Sequence, residues 1–110
     1  MIDFRTMRNG EIVRVVRRKL YNIICDHVKH HDDENAMEHI KMFMEGVSWA
    51  TGIRYKVSGN GKVYLYLKCL LWSEIGLVEL EYEVINVPFE IKTLRKSINR
   101  HYSKIWWGVR

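Results

Sequence analysis

The sequence predicts an α+β domain with elements in the order ααβββα, a three-stranded antiparallel meander with helices packed on one face. Three observations carry this. Apolar residues recur at helical spacing through two stretches before Thr51-Gly52, the period then changes to two, and the helical period returns after Asn86-Val87-Pro88. At 110 residues the chain fits one domain, residues 1–110, around a single core. A composition of 47% hydrophobic and 28% charged residues is that of a globular chain and excludes a disordered one.

The first helix is predicted from about Glu11 to His30, with Ile12, Val13, Val16, Leu20, Ile23, Ile24, His27 and His31 in one arc. Arg14, Arg17 and Arg18 fall on or near the opposite side. The run HHDDEN breaks this helix and offers Asp32 or Asp33 as the N-cap of a second, about Glu34 to Trp49. Its core stripe is Met37, Ile40, Phe43, Met44 and Val47. Ile53, Tyr55 and Val57 then alternate with Arg54 and Lys56, and Ser58-Gly59-Asn60-Gly61 makes a hairpin turn. Val63, Leu65, Leu67, Cys69 and Leu71 alternate with Tyr64, Tyr66, Lys68, Leu70 and Trp72 in a second strand. Val78, Leu80, Tyr82 and Val84 alternate with Glu79, Glu81 and Glu83 in a third. Pro88 lacks an N–H for the ladder and stops the strand, and a last helix is predicted from about Phe89 to Trp106 on the stripe Ile91, Leu94, Ile98, Tyr102 and Ile105.

The net charge of +5 is patterned by element. Residues 1–31 carry seven Lys/Arg against three acids, 32–52 one against five, 53–73 four against none, 74–91 none against five, and 92–110 six against none. Neighbouring elements of opposite sign are placed to pair across the surface, each exposed pair contributing at most about 1 kcal/mol. The terminal segments stay in positive excess. Lys92, Lys96, Arg100 and Lys104 recur every four residues opposite the apolar stripe, and such like-charge spacing costs an isolated helix roughly 0.2–0.5 kcal/mol per pair. A surface that opposes its own helix in this way points to an anionic partner.

No motif points to a reaction. His27 and His31, at i and i+4, have the spacing of a zinc pair with a further ligand available from the surrounding acids or His39, but lack the glutamate of an HExxH helix. A metal-dependent hydrolase at this cluster is the remotest alternative, and no metal or cofactor is expected. Cys25 and Cys69 belong to no CxxC spacing; Cys69, facing inward, is expected to be an inert thiol. The leading expectation is a small basic non-enzymatic protein that binds nucleic acid. Phosphates would meet Arg14, Arg17, Arg18, Lys92, Lys96, Arg100 and Lys104, and bases would stack on Tyr64, Tyr66 or Trp107.

The alternative is a phage-type inhibitor or adaptor that binds an acidic protein surface, or that presents Glu79, Glu81 and Glu83 to the nucleic-acid groove of a host processing or defence enzyme. Which of the two leads turns on whether those glutamates are neutralised across the meander. Adjacent Trp106 and Trp107 stand 100° apart on a helix, so one of them is expected to seal a homodimer or hetero-complex. No stretch approaches the length of a membrane span and the first residues lack an apolar leader segment, so the expected location is cytoplasmic, the host cytoplasm for a viral protein.

Overall fold

The computed structural model describes residues 6–70 and 76–108, with side chains as far as residue 98. It contains α1 (Asn9–Lys29), a 3-10 turn at Asp33–Asn35, α2 (Ala36–Thr51), β1 (Arg54–Val57), β2 (Lys62–Leu70), β3 (Leu77–Asn86) and α3 (Val87–Gly108). The fold is the expected α+β arrangement, a three-stranded antiparallel sheet in the order β1-β2-β3. Its inner face, with Val63, Leu65 and Leu67, packs against Ile12, Val16, Leu20 and Ile24 of α1 and Ile40 and Met44 of α2 in one continuous cluster. Burial of a side chain of this size contributes about 1.5–3 kcal/mol, so these positions dominate stability.

The buried face of α1 ends differently from the expectation. Ile12, Val16, Leu20 and Ile24 are followed by Val28, not by His31. The helix closes in a Schellman motif, with Asp32 N–H donating to His27 O at 2.8 Å and His31 N–H to Val28 O at 3.2 Å. His31 occupies the left-handed position, φ 54°, where glycine is usual and histidine is among the tolerated residues. It therefore leaves the helix, and His27 and His31 do not share a helical face.

Neither Asp32 nor Asp33 caps α2, whose N-cap is Asn35 with no side-chain cap bond. Asp32 instead accepts from Asn35 Nδ2 at 2.5 Å, and Asp33 pairs with Arg95 of α3. Both carboxylates are drawn to partners outside the helix, which here outweigh the orphan N–H groups of its first turn. The far end of α2 follows the sequence reading, with Gly52 at φ 76° donating to Ser48 O at 2.8 Å.

Two features at the end of β3 position the last helix. The register slips between Val63 and Tyr64, pairing Val63 with Ile85 and Tyr64 with Glu83, so that Val84 is an extra residue. Val84 and Ile85 consequently both turn inward and are buried, where strict alternation allowed Val84 alone. No loop follows: the helix begins at Val87, with Asn86 as its cap, Oδ1 accepting from Phe89 N–H at 3.3 Å. Pro88 opens α3 rather than merely ending β3, since the first turn needs no N–H from it. Val87 N–H donates to Gly61 O at 3.0 Å, tying the helix start to the β1–β2 hairpin turn. Cys69 keeps inward parity but lies at the sheet's end, where it is half-buried.

Candidate functional site

The outer face of the sheet, opposite the helices, carries alternating rows set by register. Arg54, Tyr66 and Glu81 stand side by side across β1, β2 and β3, as do Lys56, Tyr64 and Glu83. Arg54 reaches diagonally to Glu79, Nη1 to Oε1 2.9 Å, and Lys62 Nζ lies 3.3 Å from Glu83 Oε1. Tyr66 donates its hydroxyl hydrogen to Glu81 Oε2 at 2.9 Å. That bond, with partial desolvation, raises the Tyr66 phenol above its ordinary pKa. Each glutamate of the row is thus engaged within the sheet, although β3 is an edge strand.

The two tyrosines are engaged as well. Arg54 lies 5.3 Å from the Tyr66 ring centroid and Lys56 5.5 Å from that of Tyr64, both within cation–π range. The structure therefore separates two groups of residues read together in the sequence. Arg14, Arg17 and Arg18 are exposed on α1, and Lys92 and Lys96 on α3, all in the helix layer. Tyr64 and Tyr66 lie on the opposite side of the sheet and are half-buried beneath their own cations. Arg100, Lys104 and Trp107 lie beyond the described side chains, as do Trp106 and with it the expected homodimer contact.

Where α2 and α3 begin, a groove of about 620 Å³ opens over Met37, Val87, Pro88 and Ile91, flanked by Lys92, Arg95 and Lys96 of α3. Its shape depends on a glycine. Gly61 has φ +81°, and a Cβ there would fall 2.5 Å from Pro88 Cδ and 3.4 Å from Met37 Cε. Beside the groove Arg95 is committed to Asp33, leaving Lys92 and Lys96 as the exposed cations one turn apart. Phe89, on the first turn of α3, is 60% exposed. Sequence reading passed over Phe89, yet the signal was present: it falls off the Ile91, Leu94, Ile98 stripe and, seven residues before Lys96, on the lysine side.

The histidines assemble in a different combination from the one the sequence suggested. His27 Nε2 lies 2.9 Å from His39 Nδ1 of α2, and His27 Nδ1 lies 3.1 Å from Asp32 O and 3.2 Å from Asp32 Oδ2. With both rings neutral one arrangement satisfies these contacts: His27 donates from Nδ1 to Asp32 and accepts at Nε2 the hydrogen of His39 Nδ1. The half-buried His27 is thereby a hydrogen-bonded clasp between α1 and α2. Among the described residues no three His, Cys, Asp or Glu side chains converge on a metal-sized site. Among them, too, no helix is long and apolar enough to cross a membrane.

Comparison with protein-family models, with curated proteins and with solved structures finds no match, so the functional reading rests on the geometry of the chain itself.

Proposed function

We propose that this chain is a non-enzymatic nucleic-acid-binding protein that uses the exposed cations of its helix layer. The observation that carries this reading is the glutamate row of β3, each member of which has a partner within the sheet. Glu79 is charge-paired with Arg54 and Glu83 with Lys62, and Glu81, which keeps its charge, is held by the Tyr66 hydroxyl. The positive excess is then carried by α1 and α3, and a cationic surface recruits phosphates by releasing their counterions. The same observation weighs against the reading in which Glu79, Glu81 and Glu83 imitate a phosphate backbone toward a host enzyme, since that partner's cations would have to displace Arg54 and Lys62.

Fluorescence anisotropy with generic oligonucleotides at two salt concentrations tests the proposal. Binding is expected at low salt and should weaken steeply as salt rises, each phosphate contact adding roughly 0.7–0.9 to the slope of log affinity against log salt. Absence of binding at low salt would end the proposal.

A further inference from the structure

We infer that the groove between α2 and α3 seats an unpaired base, which makes the preferred ligand a single strand; this rests on the nucleic-acid reading above. A phosphate chain alone has no use for an apolar floor, and the bases of a duplex present their faces to one another. An unpaired base has a free π-face, and the floor offers it the thioether of Met37, the ring of Pro88 and the side chain of Ile91. None of those side chains carries a hydrogen-bond donor and only the Met37 sulfur is a weak acceptor, so the floor holds a base with little reading of which base it is. Lys92 and Lys96 stand beside it to take the flanking phosphates, while Arg95 is held by Asp33.

Phe89 adds a second stacking surface. It is 60% exposed and lies on the lysine side of α3, so aromatic and cationic groups succeed one another as bases and phosphates do along a strand. An acidic amphipathic helix is the competing ligand for a cation-flanked apolar groove, and the exposed aromatic ring of Phe89 on the lysine side is what favours a strand over it. The floor is also held from behind, because Gly61 packs directly against Pro88. Little ordering remains to be done on binding.

Anisotropy with a labelled oligothymidylate and with a duplex of the same length, on the full chain at low salt, tests the inference. The single strand should bind more tightly. Phe89→Ala should lower its affinity by roughly tenfold while leaving duplex affinity and the melting temperature unchanged, and Phe89→Tyr should restore it. On the unaltered chain, the methyl resonances of Met37 and Ile91 should shift with the single strand by ring currents and remain in place with the duplex.

Equal affinity for both forms, with the Met37 and Ile91 methyls unmoved by the single strand, would overturn the base seat and leave the nucleic-acid reading standing. No binding of either form would remove both. Methyl shifts induced by an acidic amphipathic peptide, with none from oligothymidylate, would overturn the inference by making the groove a protein seat.

Discussion

Gly61→Ala is expected to lower the unfolding free energy by about 3 kcal/mol, on the order of 10 °C in melting temperature for a chain of this size. Two costs combine. A residue with a Cβ at φ +81° pays about 1–2 kcal/mol in the left-handed region. The new methyl would also stand 2.5 Å and 2.7 Å from Pro88 Cδ and Cγ, and a pyrrolidine ring fixed at the start of a helix cannot rotate aside. Relief requires α3 to move, which strains the 3.0 Å bond from Val87 N–H to Gly61 O and opens the packing of buried Val87. Gly59, two residues earlier in the same turn, is the control. Nothing lies within 4 Å of a Cβ built there, so Gly59→Ala should stay within about 0.5 kcal/mol of the parent. Thermal or urea unfolding of the two variants measures the difference.

The second large effect is on binding. Lys92→Gln combined with Lys96→Gln should reduce nucleic-acid affinity at low salt by about tenfold and lower the salt slope by roughly 1.4–1.8, one contact's worth for each lysine removed. Both side chains are exposed and flank the groove, so the fold should hold. Removing a like-charge pair at i and i+4 should leave the unfolding free energy unchanged or raise it by roughly 0.2–0.5 kcal/mol. A loss of binding without any change in salt slope would mean that the lysines act through the groove's shape and not through phosphate contact.

Most of the fold was legible because the hydrophobic period changes sharply at two places, Thr51-Gly52 and Asn86-Val87-Pro88, and each change coincides with residues that end an element. What escaped the sequence was non-local. The bulge that buries Val84 and Ile85 together is a property of how β2 and β3 pair, and a strand read alone shows only alternation. The left-handed residue after α1 is a histidine, so the usual glycine signal was missing and the apolar stripe was extended one turn too far, to His31. Asp33 had the position of a cap, but Arg95, more than sixty residues away, offers it a full charge.

The candidate site was half legible for the same reason. The cations of α1 and α3 could be read from helical spacing, and the structure confirms their exposure as far as Lys96. That Tyr64 and Tyr66 lie across the sheet from those cations, covered by Arg54 and Lys56, follows only from which strands are neighbours and which face the helices take. Gly61 reads in the sequence as a hairpin glycine, and it is one. Its second role, beneath Pro88 in the groove, depends on a contact across 27 positions of sequence.

Polyanions should meet the helix layer and not the sheet. Mapping amide chemical shifts during titration with an oligonucleotide tests it most directly. Perturbations are expected along the outer face of α1 around Arg14, Arg17 and Arg18 and along the first half of α3 from Phe89 to Lys96, with β1 and β2 unaffected. Perturbations centred on Arg54, Lys56, Tyr64 and Tyr66, with α1 and α3 silent, would contradict it.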